Sequence, residues 1–319
     1  MKFGRRRPKS LGPHLKLARY LTANMPEPPA SYDYSPAGAG SLRDIMGNDV
    51  LGDCVIASAN HVQGLLSGNA GALVHATLDQ VHAQYTAIGG WDPNNSDATD
   101  QGCDEVTALN WYCANGFANG ARPLAWVYVD ATNDAEVKVA GWLFEHIIYC
   151  VELPAPWVSV MPQADGYVWD MAPPVAANGH SFMSFGSDTS DNALIDSWGL
   201  YGKLTPNARR GLCTLSAGGG AYCLIDPEMV SRGQTKAPNG VAWGDIISDA
   251  NTIFGGHIIA PPPVVAPTPA GTIVTADMAT AWLKQAFDAA HPILDRAQAE
   301  ALCASTLASR WPQPPPVIP

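Results

Sequence analysis

Gly47-Asn48-Asp49-Val50-Leu51-Gly52-Asp53-Cys54-Val55-Ile56-Ala57 passes from a glycine-punctuated polar turn into an apolar run, with a cysteine at the join. Apolar residues continue at 55, 59, 62 and 66, the spacing of a helix face. Gly52 and Asp53 read as turn and cap, so Cys54 opens the helix. Unpaired backbone N–H groups and the helix dipole favour a thiolate there. Asp53 opposes that effect if its carboxylate points at the sulfur, and does little harm if it caps the helix amides.

A thiol attacks carbonyl carbon as its anion and needs an imidazole to take its proton. His180 is the candidate. Gly179-His180-Ser181-Phe182-Met183-Ser184-Phe185-Gly186 alternates small or polar with apolar residues, as a half-buried strand does. The polar turn 187–192 and a second strand, Ala193-Leu194-Ile195, complete a hairpin that returns Asp196 alongside His180. An acceptor on one ring nitrogen sets the tautomer and leaves the other nitrogen free to face the sulfur. Trp198 is placed to shield that hydrogen bond from water.

These residues resemble the papain-like cysteine peptidase family, and their glycine-rich turn (Gly47-Asn48-Asp49, then Gly52-Asp53-Cys54) resembles bacterial and phage versions of it. The resemblance implies that Cys54 is nucleophile, His180 base and Asp196 orienter, with Asn48 helping to form the oxyanion hole. It extends over roughly residues 28–235. Asp100-Gln101-Gly102-Cys103 before 107–117 is similar to the family's glycine turn and following helix. Residues 134–151 are expected as a helix, 155–160 as the next strand and 219–227 as the closing strand. Asn48 stands where the family has Gln, Asp196 where it has Asn, and Val55 where Trp is common. Leu51 replaces a cysteine that the family often bridges to the one in the glycine turn, which leaves Cys103 without that partner. The implied fold is α+β and papain-like, with a helical lobe and a β-rich lobe, followed by a C-terminal helical appendage.

At 319 residues, 47% hydrophobic and 15% charged, the chain can bury one large core plus an appendage. Seven cysteines make a complete disulfide framework improbable, so free thiols are expected. Cys103 and Cys113 lack a second ligand pair, and His61, His75 and His82 fall within helical patterns, so neither a metal nor any other cofactor is expected. Asp92, Asn94, Ser96, Asp97, Asp100 and Asp104 fail the EF-hand template and read as a solvated turn. Gly218-Gly219-Gly220 lacks the Lys-Ser/Thr of a phosphate loop and reads as a turn before a strand.

Residues 1–26 hold seven cations and no acid, which leaves −18 on the remainder of a chain of net charge −11. Such an arm suits nucleic acid, an acidic partner, the body of its own protein, or solvent. With few aromatics, nucleic-acid binding is argued against except through the basic residues 1–19. Five segments follow: a basic arm 1–27, a peptidase domain 28–258, a Pro-rich linker 259–271, a helical hairpin 272–310 and a Pro-rich tail 311–319. The hairpin is too short to bury much alone, so docking on the body, self-association or a protein partner is expected of it. No stretch approaches a membrane span and no apolar signal core opens the chain, so the cytoplasm, or a particle assembled there, is the expected location. The expected activity is hydrolysis of peptide or amide bonds in a peptide or protein substrate through a thioester. The alternatives are an acyltransferase or transglutaminase-like enzyme, a structural or attachment protein of a virion or phage, and an enzyme that cuts its own arm or linker.

Overall fold

A computed structural model describes residues 2–159 and 161–254. The expected linker, helical hairpin and tail (259–319) lie outside the described residues.

The chain begins with β1 (Arg5–Arg6) and β2 (Leu15–Lys16), then β3 (Tyr32–Asp33). Helices α1 (Ser35–Leu42), α2 (Cys54–Asn69), α3 (Leu78–Gly89), α4 (Ser96–Thr99) and, after β4 (Cys103–Asp104), α5 (Glu105–Asn115) build a helical lobe. The second lobe holds β5 (Ala125–Tyr128), α6 (Asp134–Phe144), β6 (Ile147–Glu152), α7 (Ala155–Ser159), β7 (Tyr167–Trp169), β8 (Gly179–Ser187), β9 (Ala193–Ser197), β10 (Leu200–Leu204), α8 (Pro206–Leu212) and β11 (Gly220–Ile225). Helices α9 (Pro227–Lys236) and α10 (Trp243–Phe254) close the described part. One sheet runs β2-β5-β11-β6-β8-β9-β10-β7, with β3 added against β8, while β1 pairs with β4 in a separate two-stranded patch.

The expected elements around the site form. Cys54 is the first residue of α2, and β8 and β9 form the expected hairpin, but β8, expected half-buried, is buried along its whole length. Two expectations on its flank are corrected. The helix expected over 134–151 stops at Phe144, where Glu145 turns left-handed (φ 65°), and 147–152 form a strand buried on both faces. An apolar run of that length has no period to separate helix from strand, and its Ile, Tyr and Val content favours the strand. Residues 155–159, expected as a strand, form one short helix with Pro156 in its first turn.

Helix α2 is buried almost all round and forms the spine of its lobe. It lies tight against α1 because small residues face each other: a Cβ at Gly64 would fall 2.1 Å from Ser41 Oγ, and one at Gly68 2.3 Å from the Ala37 carbonyl. Its apolar face (Ile56, Val62, Leu65, Leu66) enters the core, each such side chain contributing about 1.5–3 kcal/mol.

The basic arm is part of the body. Leu15, Leu17 and Tyr20 are buried, β2 runs parallel to β5, and Leu21 bridges to Val241. The acidic loop is not simply solvated: Asp100 is buried and accepts hydrogen bonds from Gly52 N (2.9 Å) and Tyr85 Oη (2.6 Å). All six cysteines among the described residues are buried free thiols. Among those residues no group of three or more His, Cys, Asp or Glu side chains could hold a metal ion, and no helix is long and apolar enough to cross a membrane.

Candidate active site

Cys54, from the helical lobe, and His180, from the sheet, line one cavity of about 10 Å³, together with Asn48, Ser58, His61 and Trp198 among others. That is room for about one water molecule. Other helices in the fold are capped by side chains, α3 by Thr77 and α5 by Asp104, but α2 is not. The carboxylate of Asp53, expected as its cap, instead accepts from Asn48 Nδ2 at 3.0 Å.

Both members of the pair are neutral at pH 7. Burial pushes the Cys54 thiol up to about 11, against the backbone amides of Gly4 and Ser181, which favour its anion; the nearby Asp53 carboxyl adds to the rise. Burial holds His180 down to about 3. The imidazole stacks on the Trp198 indole with centroids 4.3 Å apart. Trp198 itself sits in the left-handed region (φ 56°). His180 Nε2 lies 2.9 Å from Ser197 Oγ, and its Nδ1 has no hydrogen-bond partner.

Asp196, expected as the orienter of His180, makes no hydrogen bond to it. Its Oδ2 lies 2.9 Å from His61 Nδ1. The sheet register explains the exchange. Asp196 stands directly opposite Met183 on β8, and opposed residues project to the same face, so Asp196 shares the face of 181 and 183. Ser197, one residue on, shares the face of His180. His61 Nε2 is 2.8 Å from the Asp44 carbonyl, which only accepts, so that nitrogen carries its hydrogen and Nδ1 is the one turned to the carboxylate. Although burial opposes its charge, the carboxylate raises His61; burial likewise raises Asp196.

Asn48, expected at the oxyanion, donates through Nδ2 to Asp53 Oδ1 and to the Leu51 carbonyl (3.3 Å). Its amide is committed to the turn in this state. Asp53 is buried, which raises its carboxyl to about 7 despite that hydrogen bond.

The arm lies in the cleft over Cys54. Gly4 accepts from the Cys103 amide at 3.0 Å, and β1 runs parallel to β4 in the register Arg5↔Cys103. Contact is backbone to backbone: a Cβ at Gly4 would fall 1.8 Å from Gly52 O, one at Gly102 1.6 Å from Gly4 O, and one at Gly179 2.0 Å from Arg5 O. Phe3 meets the His180 ring edge-on at 6.4 Å. Lys2 pairs with Asp100 at 2.5 Å, Arg5 with Glu105, and Arg7 with Glu152, and each of these acids has a side chain no more than 4% exposed.

Solved structures share this architecture. The digestive procathepsin L2 proteinase of Tenebrio molitor larval midgut matches at TM-score 0.51 and 17% identity, over 70% of this chain and 77% of that one. Procathepsin B S9 from Trypanosoma congolense matches at TM-score 0.51 and 10% identity, over 70% and 86%. Digestive procathepsin L 3 of Tenebrio molitor matches at 0.50 and 12%, over 69% and 76%. The chain has a papain-like cysteine protease fold. No family model and no curated protein matches the sequence.

Within the papain-like fold, four features escaped the sequence reading: Ser197, His61, Glu105 and the path of the arm. His61 carried a signal, since it lies seven residues after Cys54 on the same helix face. Glu105 and the arm carried one too, in the pairing of a cationic segment with an acidic body.

Proposed function

We propose that this chain is a cysteine peptidase, hydrolysing peptide or amide bonds of a peptide or protein substrate, and that its arm holds it closed. The observation that carries the reading is the bare Nδ1 of His180 in the cavity that Cys54 enters from an uncapped helix start.

With the arm withdrawn, His180 Nδ1 takes the Cys54 proton and the thiolate adds to the substrate carbonyl. For Nδ1 to be the acceptor, Nε2 must carry the ring hydrogen and donate it to Ser197 Oγ. Ser197 therefore takes the orienting role first expected of Asp196. The Cys54 backbone N–H, in the first turn of α2, faces the developing oxyanion, joined by Asn48 Nδ2 once it leaves Asp53. Collapse expels the amine, which takes its proton from His180. Water, deprotonated by the same imidazole, then releases the acid from the thioester.

The arm closes this path by burial and contact. It keeps the thiol and imidazole buried, which favours the neutral form of each, and its backbone fills the strip a substrate would occupy. Structural or attachment roles would keep the fold without the reactivity. Treatment with an epoxysuccinyl thiol inhibitor, read by intact mass, separates the two. A single adduct on Cys54, formed faster as the arm is loosened and absent in Cys54→Ala and His180→Ala, is expected. No selective adduct in an arm-loosened protein would sink the catalytic reading.

A further inference from the structure

The Arg5 side chain fills a pocket built for a guanidinium. Its Nε and Nη2 reach Glu105 Oε2 and Oε1 at 2.8 and 2.5 Å, a two-point fork, while Nη1 donates to the Gly218 carbonyl. Tyr222 Oη donates to Glu105 at 3.3 Å and holds the carboxylate toward the pocket. Both charged side chains are 1% exposed. Glu105 follows β4 directly, so the strand that pairs with the arm's backbone also sets the carboxylate beneath its side chain. Gly218, left-handed at φ 78°, turns its carbonyl inward and completes the site.

We propose that this pocket is a substrate subsite that selects arginine, with Glu105 as the specificity-determining residue and the arm as its resident stand-in. The inference rests on the peptidase reading and adds the substrate class: cationic peptides with an arginine close to the bond cut. Arg5 is the neighbour of Gly4, the residue seated against the Cys54 thiol, so the pocket lies one residue from the nucleophile. When the arm leaves, Glu105 loses the guanidinium that meets both its oxygens, and a carboxylate set among Tyr222 and the Gly218 turn is left without its cation. A peptide that brings a guanidinium to it restores the pair. Lysine offers a point charge in place of the planar fork and fits the two oxygens less well. Citrulline keeps the shape of arginine without its charge, so it tests the pocket with no change to the protein.

The test uses full-length protein carrying Arg5→Ala, which vacates the pocket, and paired fluorogenic peptides that differ only by arginine or citrulline at the position nearest the scissile bond. The expected result is a kcat/KM for arginine at least about a hundredfold above citrulline, lost in Arg5→Ala/Glu105→Gln. Binding of the same peptides to the Arg5→Ala/Cys54→Ala protein, read by fluorescence anisotropy, should show the same ratio without turnover. Turnover with equal rates on the two peptides would overturn the subsite and leave the peptidase standing. Arginine-selective binding without turnover in any arm-loosened variant would support the subsite and count against the peptidase. Failure of both peptides to bind would overturn the subsite.

Discussion

Replacing Gly4 by alanine should unseat the arm and expose Cys54, the proposed nucleophile. The added Cβ would fall 1.8 Å from Gly52 O and 2.2 Å from its carbonyl carbon. Gly52 cannot yield cheaply, because its amide is held by Asp100 and the next two residues are Asp53 and Cys54. The arm must therefore move. Doing so breaks the hydrogen bond from the Cys103 amide, worth about 1 kcal/mol, and lets water reach the sulfur. With the arm in place, burial pushes the Cys54 thiol up to about 11 from an ordinary 9.0. Return to the ordinary value raises the thiolate fraction near pH 7.5 by about a hundredfold, or ~2.7 kcal/mol, before any gain in access. The assay is the second-order rate of iodoacetamide alkylation at Cys54, followed by intact mass and peptide mapping. Gly244→Ala is the control, since nothing lies within 4 Å of a Cβ there. A rise of about a hundredfold or more confined to Cys54 is expected. A folded Gly4→Ala protein that labels no faster than wild type would refute the reasoning. So would simultaneous labelling of Cys113, Cys150, Cys213 and Cys223, which would mean that the whole chain had opened.

Asp53 gives a pH-dependent test: its carboxyl is raised to about 7 in the folded chain, so its burial costs stability above its unfolded value near 3.8, and the cost grows up to pH 7. Asp53→Asn, which can still accept from Asn48, should therefore stabilise by roughly 2–3 kcal/mol more at pH 8 than at pH 5; equal shifts in melting temperature at the two pH values would count against a buried neutral acid. Asp196→Asn and Ser197→Ala should separate structure from reactivity. The first strips a buried partner from His61 and costs about 3 kcal/mol or more of stability, while the second removes one hydrogen bond, about 1 kcal/mol, and slows Cys54 labelling in a Gly4→Ala background. The reverse pattern would return the orienting role to Asp196.

The parts of the site that lie within one element were legible. A glycine turn before an apolar helical run places Cys54 at a helix start, and alternation around His180 places it on a strand. Which of two neighbouring residues meets His180 depends on pairing register, and the β8–β9 pairing is irregular between Ser184 and Gly186. A bulge of one residue exchanges the faces on which Asp196 and Ser197 project. Nothing local in the sequence announces that bulge. The same limit explains strand β6: its buried run has neither helical nor alternating period, and its helix ends at Glu145, held by a residue 91 positions away, Lys236, at 2.9 Å.

The charge asymmetry of the chain has a physical explanation in the cleft. Asp100, Glu105 and Glu152 are acids that the fold carries almost out of water, and such groups are destabilising unless cations meet them. Lys2, Arg5 and Arg7 do so at alternate or nearby positions of one extended segment, with Gly4 thin enough to pass over Cys54. Exposed ion pairs contribute little, but here each carboxylate is buried, although Lys2 and Arg7 are about half in solvent. The same acids that seat the arm would lose their cations if it left. A neutral ligand would leave them bare, whereas a cationic peptide would replace the arm charge for charge. On the proposed peptidase and subsite readings, closure and substrate choice draw on one set of carboxylates, and a substitution that weakens one should weaken the other.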